Sequence, residues 1–284
     1  MEEIIGHQSV LSLRDSKLSL EQPVVMGILN VTPDSFSDGG RYNSVQRAVD
    51  AVGKMAEEGA AIIDIGGEST RPGADPVSES EEINRVIPVL EQVLDAFPKT
   101  FFSIDTTKYK VAEKSLELGS HIINDVSGLQ KEPRLADLCA TYQAGYVLMH
   151  SQGDPQTMQK NPQYQNVTED IYSFMENGIE QLKRAGVSSI MVDPGIGFGK
   201  TLQHNLEIIK ELKKFITLGY PLLVGASRKS MIGTLLDERP ADERLAGTLA
   251  VHYHCLLQGA KILRVHDVQE AVDSVKIFES LKNE

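Results

Sequence analysis

The chain has no tryptophan, only two cysteines and no apolar run of the length that a membrane span requires. Cys139 and Cys255 lie far apart in predicted helices, which argues against a disulfide framework or a zinc pattern and predicts buried, unreactive thiols. Residues 1–10 are acidic and lack the apolar core of a signal peptide. We therefore expect a cytoplasmic protein without membrane contacts.

Positive charge is also in short supply, with 28 Lys and Arg residues against 40 Asp and Glu residues and a formal net charge of −12. This balance argues against a surface for nucleic acid or for anionic lipids. An anionic small-molecule substrate would need a local cluster of cations, since the overall field repels it. The 284 residues, of which 41% are hydrophobic, suit one large globular domain.

What the chain does contain is a series of eight short apolar runs, each of which ends on a polar or charged residue. A buried strand has no internal reason to end on a carboxylate, an amide or a guanidinium, so these ends predict a shared polar pocket. The runs are Val24–Asn30, Ala61–Asp64, Thr100–Asp105, His121–Asn124, Tyr146–His150, Ile190–Asp193, Leu222–Ser227 and Ile262–Arg264.

Longer segments with helical periodicity separate the runs. They are 44–58, 78–97, 108–118, 133–142, 168–185, 201–215 and 242–258, with a last helix from residue 267. Strands that alternate with crossover helices form a parallel sheet. Eight such units favour a single-domain α/β fold, the (β/α)₈ TIM barrel, over the alternative of an open doubly wound sheet. We expect residues 23–284 to form the barrel, and residues 1–22 to be an N-terminal extension that could close its bottom as a hairpin.

Two connections that follow predicted strands are unusually long. Residues 31–43 and 66–77 both exceed the two to six residues that are usual between a strand and the next helix. Both follow the carboxyl end of a strand, where the active site of such a barrel lies. Their Gly and Pro content makes them candidate lids.

Asp105, Asn124 and Asp193 end three of the runs. A carboxylate accepts hydrogen bonds and can bind a pair of parallel N–H donors, while Asn adds one donor and one acceptor. Together they suit a flat heterocycle with an amidine-like or guanidine-like edge, such as a 2-amino-4-oxo-pterin. The alternative is that these groups cap neighbouring loops and helices.

Four potential cations, Arg71, Lys229, Arg264 and His266, fall on the predicted active face. The loops after the seventh and eighth strands usually form the phosphate corner of these barrels, which predicts a phosphate or diphosphate site. The alternative is solvated surface charge. Asn30 and carboxylates of the first long loop could supply oxygen ligands to a Mg²⁺ ion that bridges a diphosphate.

The glycine-rich segment 193–200 is not a nucleotide-binding loop. A P-loop would need glycine where Pro194 stands, and a dinucleotide fingerprint would need glycine where Lys200 stands. The glycines instead suit a close approach of the backbone to a ligand, with Phe198 packed on it. A purely structural turn is the alternative.

Taken together, these motifs resemble those of the dihydropteroate synthase family. Residues 26–40 resemble its first signature and residues 59–73 its second. The shorter motifs at 103–106, 123–125, 193–200, 227–230 and 264–266 follow in the family's order. The resemblance runs from about residue 23 to the C-terminus.

The resemblance implies a TIM-barrel enzyme of folate biosynthesis, usually a homodimer, that uses Mg²⁺ and is the target of sulfonamides. Such an enzyme joins 4-aminobenzoate to 6-hydroxymethyl-7,8-dihydropterin diphosphate and releases diphosphate. The implied pterin-binding residues are Asp105, Asn124, Asp193 and Lys229. The implied diphosphate residues are Asn30, which is also the metal ligand, Thr70, Arg71, Arg264 and His266. The implied aminobenzoate residues are Phe36, Thr70, Pro72, Phe198, Lys229 and Ser230, and the implied catalytic residues are Asp38, Arg71, Lys229, Arg264 and His266.

Two other functions remain as alternatives. A folate-binding methyltransferase domain uses a related pterin barrel, but the long lid loops and the segment 227–230 favour the synthase, and the chain has no cobalamin-binding segment. A non-catalytic pterin-binding barrel would be expected to have lost loop residues, yet Asn30, Asp38, Arg71 and Lys229 are all present.

Overall fold

The computed structural model describes residues 8–32, 40–69, 73–154 and 156–282. Its main feature is an eight-stranded parallel sheet whose strands neighbour one another in chain order. A bridge between Val192 and Leu222 joins the two outer strands and closes the sheet into a barrel, which confirms the predicted fold. The strands are β3 (Val24–Asn30), β4 (Ile62–Gly66), β5 (Phe101–Asp105), β6 (Ile122–Asp125), β7 (Gly145–Met149), β8 (Ile190–Asp193), β9 (Leu223–Val224) and β10 (Ile262–Val265).

Helices follow the strands and surround the barrel. They are α1 (Gly40–Glu57), α2 (Glu79–Ala96), α3 (Tyr109–Leu118), α4 (Leu135–Thr141), α5 (Val167–Ala185), α6 (Leu202–Lys210), α7 (Lys213–Ile216), α8 (Ser230–Leu235), α9 (Leu245–Leu257) and α10 (Val268–Lys282). None of the helices in the described ranges is long and apolar enough to cross a membrane.

The prediction of one helix over residues 201–215 is wrong. The chain leaves helical geometry at Glu211, with φ −101° and ψ 17°, and a new short helix begins at Lys213. The change of direction buries Leu212 and Phe215 in the core. The seventh strand is also shorter than predicted, because only Leu223 and Val224 of the run 222–227 form a regular ladder.

An antiparallel hairpin of β1 (Val10–Leu13) and β2 (Ser16–Ser19) precedes the barrel. Its inward leucines form one buried cluster with side chains from the amino-terminal halves of the barrel strands. The Ser189 hydroxyl donates to the Ser12 carbonyl oxygen over 2.7 Å, and the Arg14 N–H donates to the Gln143 carbonyl oxygen over 2.8 Å. The hairpin thus packs on the end of the barrel opposite the strand carboxyl ends.

A larger apolar cluster fills the space between the strands and the helices. The barrel strands are buried on both faces, which explains why they appear in the sequence as continuous apolar runs. Ile63 and Ile65 of β4 point outward to this layer, while Ile62 and Asp64, which alternate with them, point into the barrel. The polar side chains at the strand ends are therefore held by a well-packed frame.

Candidate active site

Four polar side chains lie buried at the carboxyl end of the barrel. They are Asp64 on β4, Asp105 on β5, Asn124 on β6 and Asp193 on β8, exposed to 0%, 6%, 3% and 4% respectively. Asp105 and Asn124 are register partners on neighbouring strands. Since parallel strands end at the same edge, the four side chains surround one end of the barrel interior.

Arg264 on β10 joins three of these side chains into one network. Its Nε donates to Asp64 Oδ2 over 2.7 Å, and its Nη2 donates to Asp105 Oδ2 over 2.8 Å. Asn124 Nδ2 donates to the same Asp64 oxygen over 2.8 Å. One guanidinium thus stabilises two buried carboxylates that would repel each other without it.

Burial changes the ionisation of Asp105 and Asp193. Loss of solvent raises the pKa of Asp105 to about 7, although the charge of Arg264 acts in the opposite direction. Burial also raises the pKa of Asp193, while the Gly195 N–H, which donates to its Oδ1 over 2.7 Å, lowers it. These bonds occupy one oxygen of each carboxyl group, so the other oxygen is the one that can meet a ligand.

Lys229 at the N-terminus of α8 places its ammonium over the Phe198 ring, 3.9 Å from the centroid. Burial, with the charge of Arg264, lowers the pKa of Lys229 to about 8, although Asp193 attracts its charge. Gly197 has a φ of +83°, and a Cβ there would lie 3.0 Å from the Lys229 side chain. The glycine therefore lets the loop approach the lysine closely.

A second buried lysine, Lys200, closes the glycine-rich loop after β8. Its Nζ contacts His150 Nδ1 at 3.0 Å and donates to the Phe198 carbonyl oxygen over 3.0 Å. Burial lowers the pKa of Lys200 to about 7 and that of His150 to about 3, so the imidazole is neutral and can accept from the ammonium. Lys200 thereby ties Phe198 to the end of β7.

Side-chain bonds also fix the corner after β9 and β10. Ser227 Oγ and His266 Nδ1 lie 3.0 Å apart, and the His266 N–H donates to the same Oγ over 3.2 Å. Arg228 has a φ of +57° and donates to both carboxylate oxygens of Asp267, with its Nε at 3.0 Å. A left-handed arginine is strained, and it persists here because its contacts fix it.

A cavity of about 310 Å³ opens beside this network, lined in part by Asp105 and Phe198. Glu68 and Glu82 also line it, and both form ion pairs with Lys108. Glu68 lies on the second long connection, whereas Glu82 is a buried residue of α2. The lysine therefore ties the start of that connection to the helix that follows it.

The predicted site residues that the structure describes all lie at this end of the barrel. They are Asn30, Asp105, Asn124, Asp193, Phe198, Lys229, Ser230, Arg264 and His266. The others, Phe36, Asp38, Thr70, Arg71 and Pro72, lie outside the described residues. We expected Arg264 to face a diphosphate; its Nε and Nη2 bind carboxylates, and its Nη1 takes no part in those two bonds.

The sequence interpretation left Asp64 and His150 without a role. Asp64 carries a visible signal, a carboxylate among the apolar residues of β4. Its partner Arg264 lies 200 positions further along the chain, and the two meet because β4 and β10 both pair with β3. The contact between His150 and Lys200 could not be predicted either, because it depends on how the glycine-rich loop folds back.

Comparison with known proteins now defines the class of this barrel. The family described as pterin binding enzyme matches residues 26–266. Dihydropteroate synthase of Haemophilus influenzae is 46% identical over 268 residues, covering 94% of this chain and 96% of the relative. Dihydropteroate synthase of Escherichia coli K12 is 46% identical over 272 residues, covering 95% of each.

Solved structures give the same result. Yersinia pestis dihydropteroate synthase in a sulfonamide drug complex superposes with a TM-score of 0.90 at 44% identity, covering 97% of this chain and 100% of that one. The Xanthomonas albilineans enzyme with 4-aminobenzoic acid also gives 0.90, at 39% identity, covering 97% and 99%. This chain belongs to the dihydropteroate synthase family of pterin-binding enzymes.

Proposed function

We propose that the barrel mouth carries out the dihydropteroate synthase reaction with the residue roles given below. The chain is a transferase of folate biosynthesis that joins 4-aminobenzoate to 6-hydroxymethyl-7,8-dihydropterin diphosphate and releases diphosphate. The observation that carries the proposed roles is the burial of Asp105, Asn124 and Asp193 at three strand ends.

The pterin would bind to the unoccupied acceptors of these three side chains. Asp193 Oδ2 and Asp105 Oδ1 take no part in the bonds described above, so each is available as an acceptor. The carbonyl oxygen of Asn124 adds a third acceptor. The 2-amino group, N3–H and N8–H of a dihydropterin supply matching donors. The Lys229 ammonium stacks on the Phe198 ring, and it adds a cationic donor on that side of the pterin.

The diphosphate leaving group would bind at the corner after β9 and β10. Arg264 Nη1 takes no part in the two bonds to carboxylates, and His266 is fixed by Ser227 beside it. We assign Thr70 and Arg71 of the second long connection to the same anion. Concentrated positive charge stabilises the leaving group as its negative charge develops.

The displacement needs no covalent enzyme intermediate. The amine nitrogen forms a bond to the pterin methylene carbon, the bond from that carbon to the diphosphate oxygen breaks, and the electron pair leaves with diphosphate. The amine nitrogen then loses a proton, which the released diphosphate can accept. We assign Asp38 as an electrostatic stabiliser of the positive charge at the methylene, and exclusion of water protects that carbon until the amine arrives.

Asn30 is the proposed protein ligand of Mg²⁺. Its side-chain oxygen lies beside Gly66, 3.8 Å from where a Cβ on that glycine would lie, and Asp105 Oδ2 lies at the same distance from that point. Mg²⁺ commonly takes only one or two protein oxygens and completes its octahedron with water and substrate phosphates, so a single amide oxygen fits this chemistry. The bound ion would neutralise charge on the diphosphate.

The aminobenzoate would bind between the two long connections, against Phe36, Pro72, Phe198 and Ser230. Lys200 fixes Phe198 by donating to its carbonyl oxygen, and Ser230 follows Lys229 directly at the start of α8. Lys229 would therefore lie between the sites of the two substrates. We also propose, from the family resemblance, that the protein is a cytoplasmic homodimer.

A diphosphate-release assay tests the function. We expect turnover that requires both substrates and Mg²⁺ and that a sulfonamide competitive with 4-aminobenzoate inhibits. Pterin binding without turnover would indicate a non-catalytic barrel instead. Methyl transfer from a methylated folate to a corrinoid, with no diphosphate release, would support the methyltransferase alternative.

A further inference from the structure

Asp64 is completely buried, and the proposed mechanism gives it no contact with a substrate. Its Oδ2 accepts two hydrogen bonds, from Arg264 Nε and from Asn124 Nδ2. Its Oδ1 is buried and has no hydrogen-bond partner among the described residues. The hydrogen bonding of this carboxylate is therefore directed at one proposed diphosphate residue, Arg264, and one proposed pterin residue, Asn124.

The bond to Asp64 determines which way the Asn124 amide faces. A carboxylate offers only acceptors, so the NH₂ end of the amide must face it. The opposite orientation would place the amide oxygen against Asp64 Oδ2, where two acceptors repel each other. The carbonyl oxygen of Asn124 is consequently the end that is left for a ligand.

We propose that Asp64 is a specificity-determining positioning residue, which makes Asn124 a hydrogen-bond acceptor toward the pterin. The inference rests on the proposed function. Asn124 and Asp105 are register partners, whereas Asp193 lies two strands further round the barrel. Asp105 and Asn124 would accept bonds from one end of the pterin edge that carries the N–H donors, and Asp193 would accept from the other end.

The oxidation state of the ring decides whether that arrangement fits. A 7,8-dihydropterin carries a hydrogen on N8, and a fully oxidised pterin carries a lone pair there. An acceptor that faces N8 binds the first and repels the second. Asp64 therefore favours the dihydro form by preventing the Asn124 amide from turning its NH₂ group toward the ring.

Calorimetric titration with two probes tests this role. The probes are 6-hydroxymethyl-7,8-dihydropterin and 6-hydroxymethylpterin, and neither carries the diphosphate, so leaving-group contacts do not enter. We expect the wild-type protein to bind the dihydro form about tenfold more tightly. Asp64→Leu removes the acceptor and should bring the ratio of the two Kd values close to one. Asp64→Asn, whose oxygen Arg264 keeps in place, should retain the wild-type ratio.

A double-mutant comparison separates this role from simple structural support. In an Asn124→Leu background, Asp64→Leu should not change the ratio further, because the residue through which it acts is absent. If Asp64→Leu weakens both probes equally and leaves the ratio unchanged, the proposal is wrong. If that variant does not fold, the comparison of Asn124→Leu with Asp64→Asn decides, and equal ratios in the two would overturn it.

The test also distinguishes the inference from the function on which it rests. If the wild-type protein binds both probes tightly with a ratio near one, the role of Asp64 is contradicted and the pterin site stands. If it binds neither probe nor the pterin diphosphate, the proposed function itself fails.

Discussion

The two ends of the barrel interior differ in chemistry although the same strands form both. On β4, Ile62 belongs to the apolar cluster under the hairpin, and Asp64 belongs to the polar network. Residues two apart on a strand point to the same face. Moving two residues along a strand therefore leads from the apolar layer of the interior to the charged layer. The same step separates Ile122 from Asn124, Met191 from Asp193, and Ile262 from Arg264.

The two layers have different roles. The lower layer is the apolar cluster under the hairpin, and the upper layer is the polar network at the carboxyl ends of the strands. The lower layer buries apolar side chains, and Leu11 and Leu13 of the hairpin are completely buried against it. The upper layer buries carboxylates and cations, which costs desolvation and leaves acceptors that a ligand can satisfy. Changes in the lower layer should therefore reduce stability, and changes in the upper layer should reduce binding.

The largest effect is expected for Asp193→Ala in the upper layer. The pterin would lose its bonds to a charged acceptor, each worth about 1.5–3 kcal/mol, so we expect binding of the pterin diphosphate to weaken by at least about a hundredfold. Isothermal titration calorimetry measures this loss. Native affinity in the variant would exclude Asp193 as a pterin ligand.

Arg264→Ala should reduce both stability and function, so it tests how the two layers of the barrel differ. Its loss leaves Asp64 and Asp105 buried without their cation, which should lower the free energy of unfolding by about 3–5 kcal/mol. A carboxyl group whose pKa is raised on folding loses stability as pH rises through that pKa, so the deficit should be larger at pH 8 than at pH 5.

Chemical denaturation of Arg264→Ala at the two pH values checks this prediction, and an equal deficit at both would contradict it. In the same variant, turnover should fall more than binding of a pterin that lacks diphosphate. Equal losses in the two measurements would remove the assignment of Arg264 to the leaving group.

Leu13→Ala tests the lower layer. Leu13 is fully buried and packs against Gly145 at the start of β7, so its truncation should cost about 2–5 kcal/mol of stability. KM and kcat should remain at wild-type values at a temperature where the variant is folded. Leu281→Ala is the matched control, since Leu281 is 63% exposed and its truncation should change stability by less than about 0.5 kcal/mol.

The smallest expected effect is the pH dependence of kcat/KM for the pterin substrate. Asp105, with a pKa of about 7, should accept bonds as a carboxylate above that value, and Lys229, with a pKa of about 8, should lose its charge above it. The profile should therefore rise toward pH 7 and fall above pH 8. Lys229→Arg should move only the alkaline limb, and an unchanged alkaline limb would exclude Lys229 as its source.

Much of this architecture could be predicted from the sequence. Period and length identified the barrel strands because strands buried on both faces are continuously apolar. Polar residues at the strand ends identified the pocket, since parallel strands place their carboxyl ends together. The predicted helix 201–215 is interrupted where the burial of Leu212 and Phe215 outweighs helical continuity, and the predicted helix 242–258 is interrupted at Arg244.

The pairings within the site could not be predicted in the same way. The Arg264–Asp64 pair joins the last strand to the second strand of the barrel, and no local pattern encodes that contact. The same applies to Lys200 and His150, which meet only when the glycine-rich loop folds back on β7. The strand-end pattern marked Asp64 and Arg264 as polar ends of buried strands, and the pairing of the last strand with the first determines that these two charges meet.

The most direct test compares Asp193→Ala with Leu13→Ala in the same two measurements, thermal unfolding and calorimetric binding of the pterin diphosphate. We predict that Asp193→Ala loses binding and keeps a Tm close to that of the wild type. Leu13→Ala should keep wild-type affinity and unfold at a clearly lower temperature. A loss of affinity in Leu13→Ala equal to that in Asp193→Ala would contradict the division of the barrel into a stabilising layer and a binding layer.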